Sequence, residues 1–140
     1  MYDTNNPRHE VPAPEVQSLG SVLQFIPEKS GEAQFFVDTH TLEILDANTA
    51  AENLYGYTRE EFLGMVVTNL SIEPLKTGFA VHRLAGHPEE AESTKERFHR
   101  KKDGVIFPVE IEVGSLFDCE GRQVNHAIVR DISLRNGSSL

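Results

Sequence analysis

Six histidines and a single cysteine are the side chains here best suited to hold a metal or to act as nucleophile or base. No pair of histidines has the H-E-x-x-H spacing that puts two ring nitrogens on one helical face. One cysteine excludes an internal disulfide and a cysteine-rich zinc site. Haem needs an axial ligand, commonly histidine. His82, on the longest predicted helix, is the residue placed to supply it. With no second ligand in view, the plainer reading of His82 is an exposed or hydrogen-bonded helix residue. His99 and His126 fall in predicted strands, and His87 in an acidic loop. Cys119 lies in the predicted turn "DCEGR" and reads as an unreactive surface thiol, with no cation beside it to lower its pKa. No G-x-S-x-G elbow, phosphate-binding glycine loop or paired nucleophile and base is present. "HEVP" (residues 9–12) superficially matches a phosphoacceptor box but sits in a proline-rich stretch. The expectation is a protein that is not an enzyme.

Net charge is −9, which argues against nucleic-acid binding, because a phosphate backbone would be repelled. The one basic cluster, "RFHRKK" (97–102), reads as the solvated face of a strand beside an acidic loop. No apolar run is long enough to cross a bilayer, and the N-terminus lacks the basic and apolar segments of a secretory signal. The expected location is cytoplasmic, and no membrane partner is expected. A length of 140 residues bounds the chain to one domain.

The elements follow from periodicity and capping. Residues 1–15 carry three prolines and read as a flexible tail. Over 16–27, Leu19, Val22, Leu23 and Ile26 recur at helical spacing and give a short amphipathic helix whose stripe needs a partner, either the domain's own sheet or a second copy of the chain. "FFV" and "LEIL" are β-prone runs joined by "DTHT", a hairpin. In "LDANTAAENLYGYTREEFLG" (45–64), Thr49/Glu52 and Thr58/Glu61 both have the S/T-x-x-E spacing of a capping box, with Asn48 a competing cap. Gly56 and Gly64 read as stops. Two very short helices result, neither stable alone. A longer helix runs from about Pro74 to Leu84. From Lys95 the period becomes two: Phe107, Val109, Ile111 and Val113 alternate with solvent-facing positions. Asp103-Gly104 and "DCEG" supply hairpin turns, and the last strand, 123–133, is apolar on both faces, as in a central strand. The fold class is α+β, a mainly antiparallel sheet with short helices on one face.

Three ordered stretches resemble the PAS domain family: "FFVDTHTLEILDANTAAENLYGYTREEFLG", "RKKDGVIFPVEIEVGSL" and "HAIVRDISLR". The resemblance spans about residues 20–134, with the domain proper at 28–134 and a tail or linker start at 135–140. It implies a five-stranded sheet of order 2-1-5-4-3 with short helices walling a cavity on its concave face. It also implies a sensory module that binds a small ligand or mediates dimerisation inside histidine kinases, cyclases and transcription regulators. No catalytic segment follows "RDIS", so the effector is expected to be another protein or part of a longer one. A homodimer is expected.

Within that resemblance, the cavity would be lined by Phe36, Ala51, Tyr55, Leu63, Leu70, Phe79, Val109, Ile111, Ala127 and Val129, unless these fill a solid core. Asn48 could bond near the ligand, although its capping role is sufficient reason for it. Arg130, Asp131 and Ser133 would form the output end, Asp131 pairing with a basic group. The flavin-photosensor run G-x-N-C-R-F-L-Q is absent and there is no tryptophan, so flavin is not expected. The ligand, if any, stays unspecified: possibilities are a small metabolite, haem through His82, or none.

Overall fold

A computed structural model of the protein describes residues 31–86 and 94–134. The expected tail 1–15, the helix 16–27 with Leu19, Val22, Leu23 and Ile26, His87 and residues 135–140 lie outside them. The elements are β1 (Ala33–Asp38), β2 (Ile44–Ala47), α1 (Thr49–Tyr55), α2 (Arg59–Phe62), a 3-10 turn (Val67–Leu70), α3 (Pro74–Gly86), β3 (Thr94–Arg100), β4 (Ile106–Cys119) and β5 (Arg122–Asp131). The five strands form one antiparallel sheet of order β2-β1-β5-β4-β3. β5 is therefore central, in keeping with its apolar residues on both faces.

The turns form where side chains can bond their own backbone. Asp38 Oδ1 accepts from the amides of His40 and Thr41 at 2.7 and 2.9 Å, closing the β1–β2 turn. In the β3–β4 hairpin Gly104 takes φ +97°, while Asp103 Oδ1 receives the Val105 amide. α1 is capped by Asn48 rather than Thr49: its Oδ1 accepts from Ala51 N at 3.0 Å. Gly56 ends that helix at φ +90°, a conformation glycine adopts without steric cost. α2 carries the reciprocal Thr58/Glu61 capping box. Its end differs from expectation: Leu63 stays right-handed, and the Gly64 amide bonds back to the Glu61 carbonyl, so no left-handed glycine is used there.

Helices of seven and four residues cannot persist alone, and tertiary bonds hold these. Arg59 reaches Asp46 on β2 with a bidentate pair at 2.6 and 2.9 Å. Lys102 in the β3–β4 hairpin donates its amide to the Tyr55 carbonyl and its Nζ to Glu61. Beneath α1 and α2, Phe35, Tyr55, Phe62 and Phe107 pack edge to face with centroids 5.2–5.7 Å apart, a favoured aromatic geometry.

The alternation along β4 breaks at Gly114, where the register to β5 shifts. A bulge inserts one residue and reverses which side chains face which side. Val113 faces the helices opposite Ala127, whereas Phe117 and Cys119 join Phe36 and Val124 in a second cluster on the other face. Cys119 is thus a buried strand residue, not a surface thiol in a turn. Burial pushes its pKa up, as does the nearby Glu120 charge.

Candidate functional site

Between α3 and the inner face of the sheet lies a cavity of about 360 Å³. Its floor is the sheet: Phe35 and Val37 of β1, Asn125, Ala127 and Val129 of β5, Ile111 and Val113 of β4, and Lys95, Arg97 and His99 of β3. Its roof is the 3-10 turn, with Val67 and Leu70, and α3, with Thr77, Ala80, Val81 and Leu84. The walls are largely apolar with a few polar groups, the usual make-up of a small-molecule site. Two of those polar groups are committed. Thr77 donates to Ser71 Oγ at 2.9 Å, and Asn125 Nδ2 donates to the Val37 carbonyl at 3.3 Å.

His99 is different. It is 2 % exposed, and its Nδ1 meets the Tyr55 hydroxyl at 2.7 Å. Its Nε2 is buried and has no partner among the described residues. Burial, with the Arg97 charge a lesser cause, pushes His99 down to about 4. The ring is neutral at pH 7. Burial likewise raises Tyr55, which stays protonated.

Of the residues expected at the cavity, Leu70, Ile111, Ala127 and Val129 line it. Phe79 does too, but it is 68 % exposed and stands at the mouth. Ala51, Tyr55 and Val109 fill the solid core beside the cavity. Two expectations are reversed. Phe36 points to the opposite sheet face and stacks edge-on with Phe117 and His126, because odd-numbered β1 residues face the helices. Leu63 is 40 % exposed while Phe62 is buried; a single helical turn rotates successive side chains by ~100°, so only one of the two can point inward. Asn48 is a buried cap, tied also to Gln34 N and the Glu32 carbonyl at 2.9 and 3.0 Å, away from the cavity lining.

His82 is exposed, outside the cavity, and its Nε2 lies 3.1 Å from the His40 carbonyl. That bond needs a protonated Nε2, so the ring serves as a donor to the β1–β2 turn and does not fit an axial haem ligand. At the C-terminal end of β5, Arg130 meets Glu32 and Glu112 at 2.6 and 2.8 Å and Glu110 at 3.5 Å. Asp131 accepts from the amide and hydroxyl of Ser133, and among the described residues its side chain is held by these bonds and not by the expected basic group.

Sequence reasoning missed His99, Arg97 and Lys95 as wall residues. In β3 the apolar Phe98 is half exposed while its polar neighbours His99 and Arg97 turn inward. Hydropathy alone puts that strand in the opposite phase. The register to β4, which sets His99 against Phe107 and Arg97 against Val109, is the signal that corrects it. Among the described residues no group of histidine, cysteine and carboxylate side chains could hold a metal ion.

Residues 32–134 match the model of a family described as PAS domain. An uncharacterised protein of Azorhizobium caulinodans is 33% identical over 97 residues, 66% of this chain and 13% of its own length; the chain thus spans a small part of that relative. The PAS domain of a two-component sensor histidine kinase superposes with TM-score 0.64 at 21% identity, covering 81% of this chain and 96% of that one. A PAS domain of an HTR-like protein from Haloarcula marismortui gives TM-score 0.66 at 22% identity over 81% and 92%. At these identities the two structures speak for the fold.

Proposed function

The chain belongs to the PAS domain family, and from that premise we propose that it is a non-catalytic sensory module that holds a small ligand between α3 and the sheet. The observation that carries this reading is the cavity of about 360 Å³ whose floor includes the central strand. β5 contributes Asn125, Ala127 and Val129 to the floor. From its opposite face Arg130 reaches Glu32, just before β1, and Glu110 and Glu112 on β4. A ligand that moves β5 therefore moves a charged junction where the chain enters and leaves the sheet. Signalling runs through Arg130, Asp131 and Ser133 to an effector: a histidine kinase, as in one relative of the same fold, a cyclase or a transcription regulator. No helix among the described residues is long and apolar enough to cross a membrane. We place the module in the cytoplasm, as a homodimer.

The test is extraction of protein purified from cells, by denaturation and mass spectrometry of the released small molecules. A compound released in near-stoichiometric amount, whose return to stripped protein raises the unfolding temperature, supports the sensor. The competing reading is a ligand-free interaction module. It gains if nothing is released and an Ala127→Leu variant, which fills the cavity, leaves dimerisation and partner output unchanged.

A further inference from the structure

α3 roofs the cavity and is held at both ends of its length. Its first turns are tied to the segment in front of them. Thr77 Oγ1 donates to Ser71 Oγ at 2.9 Å, with both residues buried. That segment is fastened to β3 by the Ile72 amide on the Phe98 carbonyl at 3.2 Å and by a bridge between Ser71 and His99. The second half of α3 is tied to the β1–β2 turn. His82 Nε2 donates to the His40 carbonyl at 3.1 Å, in an exposed place. Leu42 comes up beneath Gly78: a Cβ there would stand 3.6 Å from Leu42 Cδ1 and 3.5 Å from Thr68 Cγ2.

Leu42 is strained. Its φ is +69°, in the left-handed region that bulky side chains rarely adopt. The turn imposes this. The Leu42 amide bonds the Asp38 carbonyl, and its own carbonyl accepts from Val67 N, each at 2.8 Å. The second bond joins the β1–β2 turn to the 3-10 turn, which also roofs the cavity. Asp38 is braced in its turn by Arg122 at 3.5 Å. Strain of this kind persists only where the surroundings impose it, and it gathers at parts that switch. The two attachments of α3 are unequal as well. The pair Ser71–Thr77 is buried, whereas an exposed bond such as that of His82 exchanges readily for one to water.

We propose that α3 is a hinged lid, pivoting at Ser71–Thr77 and latched at the β1–β2 turn by His82 on the His40 carbonyl and by Leu42 under Gly78. With the latch open, the half of α3 that carries Ala80, Val81 and Leu84 lifts and the cavity admits solutes; with it shut, the contents are enclosed. The inference rests on the sensory reading of the cavity and adds what governs entry to it.

Thiol labelling of the full chain by iodoacetamide tests the latch. Ala127→Cys puts a thiol on the cavity floor, and Val129→Cys places one farther along the same floor should the first change fail to fold. Cys119, buried in the cluster on the other sheet face, reports in the same molecule on opening of the sheet itself. His82→Ala removes the latch bond and should speed labelling on the floor by about threefold to tenfold, with Cys119 unchanged. Gly78→Ala adds a methyl in ordinary contact with Leu42 and Thr68 and favours the helix; it should slow labelling on the floor by about threefold, and slow it more than at Cys119. Equal changes at both thiols would overturn the latch, because His82 and Gly78 would then act on the whole fold. Fast labelling of the floor that neither variant alters would overturn it too, while leaving the cavity an open binding site. If the floor reacts no faster than Cys119 in any variant, the cavity is closed to solutes and the sensory reading falls with the latch.

Discussion

The Tyr55 hydroxyl and His99 Nδ1 bring two titratable groups within 2.7 Å of each other in a buried place. Because burial holds His99 at about 4, against an ordinary histidine value of ~6.5, the unfolded chain takes up the proton first as pH falls. The contribution of His99 to stability is whole above pH ~6.5 and is lost on acidification towards 4, on the order of 3 kcal/mol in full. His126, also lowered chiefly by burial, adds a slope of the same sign. Urea unfolding between pH 7 and 4.5 should show a steeper loss for the wild-type chain than for His99→Gln; parallel pH profiles would contradict the assignment. Asn48 offers a second test. Its carbonyl serves two amides and its NH₂ a third group, so Asn48→Ala removes a cap and leaves the Gln34 amide buried without its partner. A loss of about 2–3 kcal/mol is expected, and a loss under ~0.5 kcal/mol would mean that the helix end is satisfied in another way.

The short helices were legible as elements because their signals are local: Asn48 or Thr49 as a start, Thr58 with Glu61, and Gly56 as a stop all act within one turn. The hairpins at Asp103-Gly104 and at Cys119–Arg122 were legible for the same reason. What the sequence concealed is phase. Phe36, Leu63 and Phe98 are apolar residues whose orientation is set by β1 alternation, by the single turn of α2 and by the β3–β4 register. Hydropathy cannot see any of these. The bulge at Gly114 hides in the same way, since one inserted residue carries Cys119 to the other face. The two glycines first read as equivalent stops separate on this ground. Gly56 is left-handed, and a Cβ there would touch only Lys102 Cβ at 3.5 Å, so Gly56→Ala costs backbone strain alone, about 1–2 kcal/mol. Gly64 lies outside the left-handed region and its nearest neighbour would be 3.8 Å away; Gly64→Ala should change stability by less than ~0.5 kcal/mol. Chemical denaturation of the pair measures the contrast, and equal costs would refute it.

Across the whole molecule, the sheet has two unlike faces joined by one central strand. The inner face carries an aromatic core under α1 and α2 and, beside it, the space under α3. The outer face carries the Phe36, Val124 and Phe117 cluster and the junction of Arg130 with three glutamates. Close packing is the rule for protein interiors, so an apolar space left under α3 is the feature that a sensor requires and a purely structural domain does not. Leu75 and Phe79 of α3 are largely exposed, which leaves this helix less anchored than β5 and the element expected to move with the contents of the cavity. Two-dimensional NMR of the full chain under xenon pressure tests this most directly, because the apolar part of a cavity takes up xenon whatever its natural ligand. The methyl signals of Leu70, Ile111 and Val129 should shift with pressure, and the amides of Arg130–Ser133 should shift with them, while Val124 on the outer face stays in place. Inner methyls that do not respond, or that respond with no change at Arg130–Ser133, would contradict a cavity coupled to the end of the sheet.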